Sequence, residues 1–311
     1  MRFIQNNFMY ITLMFFFILI SCSKDEVSKN ADIATPIDNL STGSGLFTFT
    51  YNVVSFNKTM NIYYYIPENK TASTPILFVF HGTERNASDY RNTLITKAQL
   101  LGFIVIAPEF SEQNFPGGDG YNLGNVFIDG DNPSASSLNP ESEWTFSIIE
   151  PLFDFVKTQI NNTNGTYYMF GHSAGGQFVH RFLMFNPIAR VEKAVVSASG
   201  WYTFPTNTIV FPYGTNQSPL ENMSSSLFFD KKVYVQVGEN DDDPNAAGLR
   251  HNSFADAQGL NRKERAINYF QFCEQLATTN AMNFNWTFRI VSNANHDYNE
   301  AAENAVSSLF N

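Results

Sequence analysis

The chain is predicted to be an α/β protein built on a mostly parallel sheet of about eight strands with helices on both faces. Two observations carry this. Short continuous apolar runs recur, among them Ile76–Phe80 and Phe103–Ala107. Strands buried on both faces read this way. Between such runs lie longer segments whose apolar residues fall at helical spacing, and that alternation is the signature of strand–helix–strand units.

The elements follow in order. Leu46–Tyr51 alternates apolar and polar residues, and Met60–Ile66, closed by Pro67, does so more loosely. Together they predict an opening antiparallel hairpin. Ile76–Phe80 is the first doubly buried strand. Ser88–Leu101 is a helix, with Leu94, Ile95, Ala98 and Leu101 on one side, and Phe103–Ala107 is the next strand. Asn139-Pro140 starts a helix, since Pro suits the first helical position, and its apolar face runs through Phe146, Ile149, Phe153 and Val156. Strand Tyr167–Phe170 leads into helix Gly175–Phe185, which ends before Pro187. Strands Val191–Ser197 and Val233–Val237, helix Arg262–Ala277, strand Trp286–Val291 and helix Asp297–Leu309 complete the series. Two stretches, 110–138 and 200–230, lack either period and are rich in Gly, Pro, Asn and aromatics. Long irregular loops in compact domains are usually functional, and these are expected over the active site.

The N-terminus has a different character. Arg2 precedes an apolar run, Phe8 to Ile20, too short to span a bilayer comfortably. Leu19-Ile20-Ser21-Cys22 follows and resembles the lipobox of bacterial lipoproteins, with Cys22 as the residue that receives lipid. Ser23-Lys24-Asp25-Glu26 is similar to the acidic export tag of Bacteroidetes surface lipoproteins. The expected organisation is a signal peptide over 1–21, a polar tether over 22–45 and a catalytic domain over 46–311. An outer-membrane location at the cell surface follows from that reading. The other cysteine, Cys273, lies at an apolar-periodic position and reads as a buried small hydrophobe.

Composition narrows the function. Of 311 residues, 43% are hydrophobic and 31 are Phe, as befits a globular protein with a large core. The formal net charge of −10 repels phosphate backbones, which argues against a nucleic-acid partner.

The chemistry centres on Gly171-His172-Ser173-Ala174-Gly175, a G-x-S-x-G elbow. Its confirming context is a strand before and a helix after, and both are predicted. Ser173 is the candidate nucleophile. A serine hydroxyl needs a base, and the base needs an orienting acid. His296, directly after the last strand, is the candidate base. His251 lies in a polar loop and reads as a surface residue. The acid should follow Val233–Val237, where Gly238-Glu239-Asn240-Asp241-Asp242-Asp243 offers several carboxylates; Asp241 is the first choice, with Asp243 and Asp242 open. Asp297 and Glu300 suit a capping box that fixes the His296 loop. Acyl transfer also needs donors for the developing oxyanion. The N–H groups of Ala174, after the nucleophile, and Thr83, in Phe80-His81-Gly82-Thr83, are the candidates. His81 reads as structural, and Arg85 or Asn86 could brace that loop. Trp201 and Tyr202 are candidate substrate-binding residues, and Trp144 and Tyr121 could reach the mouth. No cofactor and no metal is expected.

With these parts in the order Ser, Asp, His, residues 46–311 resemble the α/β-hydrolase superfamily. His81-Gly82-Thr83-Glu84-Arg85-Asn86, Ala107-Pro108-Glu109-Phe110 and Gly171-His172-Ser173-Ala174-Gly175-Gly176-Gln177-Phe178 are similar to secreted bacterial esterases of the polyhydroxybutyrate depolymerase and feruloyl esterase type. The resemblance implies a serine esterase working through an acyl-enzyme, on a small-molecule or polymer ester and tethered to membrane through Cys22. A serine peptidase, or a non-catalytic surface binding protein on the same scaffold, are the alternatives.

Overall fold

In the computed structural model, residues 40–310 are described. The segments read as signal peptide and Cys22, and the tether up to residue 39, lie outside the described residues. Eight strands form one sheet, in the spatial order β1-β2-β4-β3-β5-β6-β7-β8. They are β1 Gly43–Val53, β2 Phe56–Ile66, β3 Ile76–Phe80, β4 Ile104–Pro108, β5 Tyr167–His172, β6 Val191–Ser197, β7 Lys232–Gly238 and β8 Trp286–Val291. β1 and β2 form the expected hairpin, with Val53 opposite Phe56 across a two-residue turn. β2 is antiparallel to β4. From β4 to β8 all neighbours are parallel. Five helices of three turns or more accompany them among the described residues: α1 Ala87–Leu101, α3 Ile149–Ile160, α4 Ala174–Phe185, α7 Arg262–Thr279 and α8 Tyr298–Phe310. Three single turns, α2 Gly117–Gly120, α5 Ser226–Phe229 and α6 Ser253–Asp256, sit in the loops.

The unbroken apolar runs have a simple cause. Side chains alternate faces along a strand, and each face of this sheet meets its own core. Ile76, Phe78 and Phe80 point into one apolar cluster with Phe153, Phe178 and Cys273, from α3, α4 and α7. Leu77 and Val79 point the other way, among Leu94 and Ala98 of α1 and Ala305 and Leu309 of α8. All five β3 residues are fully buried. A polar residue anywhere in Ile76–Phe80 would therefore lose its hydration without a partner.

One predicted helix departs from expectation. The segment from Asn139 does not enter a helix until Ile149. Two short 3-10 turns, Glu141–Glu143 and Thr145–Ile148, precede it, separated by Trp144 in an extended conformation. Tertiary contacts hold the break. Trp144 Nε1–H donates to the Asn139 carbonyl at 2.9 Å, and its ring packs edge-on to Phe185 at 5.3 Å. Thr145 Oγ1–H donates to the Gly120 carbonyl at 2.7 Å. These contacts outweigh local helix propensity, which is a weak preference. Trp144 is thereby core and does not reach the mouth.

Candidate active site

Ser173 stands between β5 and α4 with φ 59° and ψ −119°. A side-chain-bearing residue at positive φ is strained by about 1–3 kcal/mol and persists only where its surroundings hold it. Here the Ser173 N–H is tied to the Ser197 carbonyl of β6 at 2.9 Å. Two glycines make the turn sterically possible. A Cβ on Gly171 would collide with the Gly175 carbonyl, and a Cβ on Gly175 with the Phe80 carbonyl at the end of β3. The glycines let three backbone segments meet under the serine, which is thereby raised above the sheet.

The β3 exit is held from below. His81 is fully buried; its Nδ1–H donates to the Gly82 carbonyl at 2.9 Å, and its Nε2 accepts the Phe110 N–H at 3.1 Å. Both ring nitrogens are used, so His81 is structural. Arg85 Nη2 reaches Glu112 at 3.0 Å and the Gly117 carbonyl at 2.8 Å, tying this loop to the one after β4. Thr83 and Ala174 line one cleft with Ser173. Neither of their N–H groups donates a hydrogen bond among the described residues.

The loops after β7 and β8 are laced together. Glu239 N–H donates to the Val291 carbonyl and Asn240 N–H to the Ala294 carbonyl, each at 2.9 Å. This brings Asp241 to His296, whose Nδ1–H donates to Asp241 Oδ2 at 2.7 Å. A carboxylate can only accept, so Nδ1 carries a proton, and in the neutral imidazole the lone pair is then on Nε2. The His296 ring lies 4.5 Å from that of His172, the residue before Ser173. The competing carboxylates are elsewhere. Asp243 accepts the Asn245 N–H at 2.8 Å, and Asp242 lies 3.7 Å from Lys263 Nζ. Asp297 Oδ1 accepts the Asn299 and Glu300 N–H groups at 2.7 and 3.2 Å, as a helix N-cap does. Glu300 reaches back to the Asn295 N–H at 3.3 Å, two residues before the expected capping-box partner, Asp297, and next to His296. His251 is a surface residue that bridges its own loop, through Asp256 and the Pro244 carbonyl, both at 2.8 Å.

The cleft at Ser173 encloses about 310 Å³. Trp201 and Tyr121 line it. Tyr202, expected beside Trp201, does not. It is fully buried and stacks on Tyr269 of α7 with ring centroids 4.3 Å apart, because successive residues after β6 turn to opposite sides. The 110–138 loop contributes Glu112, Gly117, Asn122 and Leu123. The 200–230 loop contributes only its first two residues; parts of its remainder border a separate hollow of about 280 Å³ beside Met184, Met223 and Met282.

Residues 241–262, which hold no periodic pattern, supply what the sequence reading missed. Gly248, Arg250 and Arg262 all line the cleft. Arg262 is buried at the start of α7, with Nη1 3.5 Å from Asp241 Oδ1. A basic residue in a first helical turn opposes the helix dipole. That misplacement, at Asn261-Arg262-Lys263, is the one sequence signal that could have marked it.

Three buried histidines, His81, His172 and His180, have their pKa values pushed down by burial, His81 to about 3. Each folds neutral, whereas the unfolded chain protonates it near 6.5. The folded state thus binds fewer protons as pH falls below 6.5. The stability these groups contribute is complete above that value and is lost toward the depressed folded pKa values, at about 1 kcal/mol per histidine per pH unit. The unfolding free energy from urea titrations is expected to be several kcal/mol lower at about pH 5 than at about pH 7.5. Replacing His180, whose Nδ1–H donates to the Gly176 carbonyl and whose Nε2 accepts the Thr203 N–H, with Gln should flatten that slope by about one proton.

No protein-family model and no curated protein matches the chain. Solved structures do. Poly(aspartic acid) hydrolase-1 from Sphingomonas sp. KT-1 is 33% identical, with a TM-score of 0.80, over 87% of this chain and 99% of that one. The chain belongs to the α/β-hydrolase superfamily. LpqC, a poly(3-hydroxybutyrate) depolymerase from Bordetella parapertussis, is 26% identical, with a TM-score of 0.77, over 86% of this chain and 89% of that one. An S-formylglutathione hydrolase from Agrobacterium tumefaciens shares the fold at 14% identity and a TM-score of 0.53, over 89% and 96% of the two chains. The eight-stranded, mostly parallel sheet with its helices is thus the fold of this superfamily.

Proposed function

We propose that the protein is a serine hydrolase that cleaves carboxylic esters through an acyl-enzyme. The observation that carries the reading is the convergence on one cleft of a strained Ser173, two unengaged N–H groups and, against the elbow, an Asp241–His296 pair at 2.7 Å. Ser173 Oγ attacks the substrate carbonyl while His296 Nε2 accepts its proton. Asp241 fixes the tautomer and stabilises the imidazolium that forms. The N–H groups of Thr83 and Ala174 receive the oxyanion. His296 then returns the proton to the leaving alcohol, and water, activated by the same nitrogen, releases the acid. Among the described residues Ser173 Oγ makes no hydrogen bond. Catalytic hydrogen bonds often tighten only when substrate binds.

A second reading has support. The polymer named for the 33% identical relative is held together by amide bonds, so a polyamide is a candidate substrate beside polyesters. A fluorophosphonate probe on wild type and Ser173→Ala, with matched p-nitrophenyl esters and anilides, tests both. Labelling and ester turnover that vanish in the variant support the esterase reading. Anilide turnover at a comparable rate would move it toward amides. A folded wild type that neither labels nor turns over would leave the non-catalytic alternative.

For location, we propose a lipoprotein of the outer membrane, anchored at Cys22 and facing the cell surface. The support is the Leu19-Ile20-Ser21-Cys22 run after the apolar segment. Cys22→Ala is expected to abolish incorporation of labelled palmitate and to leave an uncleaved precursor. Undiminished incorporation in that variant would rule out Cys22 as the anchor.

A further inference from the structure

The charge around Ser173 runs against the charge of the chain. The formal net charge is −10, yet the cleft is lined by Arg85, Arg250 and Arg262 against a single carboxylate, Glu112. Glu112 is mostly exposed and paired with Arg85. Arg250 and Arg262 each have an acid behind them as well, Asp131 at 2.7 Å and Asp241 at 3.5 Å. A fourth guanidinium, Arg181 on α4, lies beneath the lining. It is fully buried, with hydrogen bonds to Thr203 Oγ1 and to the carbonyls of Asn122 and Gln177. No carboxylate pairs with it among the described residues. The Trp201 indole is flanked by both side chains, with Arg181 Cζ 4.1 Å and Arg250 Cζ 5.0 Å from its ring centre.

The donors are not used up. Arg262 Nε and Arg181 Nη2 are buried without a partner. Arg250 spends only Nη1, on Asp131 and the Tyr213 hydroxyl. Its Nε and Nη2, the edge of a guanidinium that fits a carboxylate with two parallel hydrogen bonds, bond nothing among the described residues. Buried donors left open are costly in a folded protein. At a catalytic cleft they point to a group that arrives with the substrate.

We propose that the cleft is a carboxylate subsite: the substrate carries a free carboxylate near its scissile carbonyl, held by the Nε–Nη2 edge of Arg250, with the Arg262 side chain lining the same cleft. This rests on the serine-hydrolase reading above. Trp201 fixes Arg250 by stacking, and Arg181 adds positive charge from below. The carboxylate could belong to a small dicarboxylic acid monoester or to an acidic polymer.

The test compares mono-p-nitrophenyl adipate with p-nitrophenyl hexanoate, each rate divided by its rate in buffer alone. Wild type is expected to favour the anionic ester about tenfold in kcat/KM. The preference should shrink between about 0.1 and 1 M salt, as the Debye length falls from about 10 to about 3 Å. Arg250→Gln is expected to remove most of the preference through the KM of the anionic ester. Arg289→Gln, an exposed arginine on β8, is expected to keep it. Inhibition of hexanoate turnover by adipate or by poly(acrylate) at equal carboxylate concentration identifies the source: a much stronger polymer points to an acidic chain, and equal effects point to a small acid. If the hexanoate ester is turned over and the adipate ester is no better, the subsite proposal falls alone. If the probe does not label and neither ester is cleaved, the serine-hydrolase reading falls and takes the subsite with it.

Discussion

Replacing Ser173 with alanine is expected to lower kcat on an activated ester by about a million-fold, the scale on which loss of a triad nucleophile is felt. The fold should survive, because the turn is held by the backbone. The Ser173 N–H bonds the Ser197 carbonyl, and the Gly171 and Gly175 backbones close around it. A second substitution separates chemistry from strain. Ser173→Ala keeps a Cβ at φ 59° and hence keeps the strain. Ser173→Gly removes it, at the cost of a more flexible unfolded chain. The net expectation is that the glycine variant is more stable than the alanine variant by about 1 kcal/mol, or about 2–4 °C in Tm for a domain of this size. Both should be equally inactive. Thermal melts and probe labelling check the pair. An alanine variant that retains labelling would place the nucleophile elsewhere. A glycine variant that melts below the alanine one would mean that the positive φ stores no strain.

The centre of the sheet was legible because β3 and β4 are buried on both faces, and unbroken apolar runs such as Ile76–Phe80 can hardly be read otherwise. The elbow was legible because Gly171 and Gly175 are dictated by backbone collisions, which leave a short, position-specific trace in sequence. What the sequence hid lies in irregular backbone, where position depends on distant partners. Arg250 looks like any surface arginine until Asp131, Tyr213 and Trp201 are seen around it. Tyr202 sits beside Trp201 in sequence, yet the chain turns between them, and one faces the cleft while the other stacks on Tyr269. Trp144 was drawn into a predicted helix because periodicity cannot register its hydrogen bond to the Asn139 carbonyl. In each case a long-range contact decides a local conformation.

Asp241→Asn is expected to lower kcat about ten-thousand-fold, and the neighbourhood of Asp241 adds a second effect. The amide can donate to His296 Nδ1 as readily as accept from it, so the imidazole loses the tautomer that leaves Nε2 free. The substitution also strips the charge from a carboxylate facing Arg262, with both side chains almost wholly buried. Breaking a buried pair from one side costs about 3–5 kcal/mol, because the remaining charge is left uncompensated; at 3.5 Å the lower end is expected here. The double variant Asp241→Asn/Arg262→Leu tells the two effects apart. Stability should largely return, since the orphaned charge is gone, while kcat stays down, since the tautomer is still wrong. Asp243→Asn is the control: its carboxylate caps the Asn245 N–H in an exposed loop, and activity should hold within about twofold. An Asp241→Asn enzyme within about tenfold of wild type would mean that His296 takes its orientation from another group. A double variant as unstable as the single one would mean that Asp241 holds the β7 and β8 loops together through its bond to His296, and that compensating Arg262 is the lesser part of what it does.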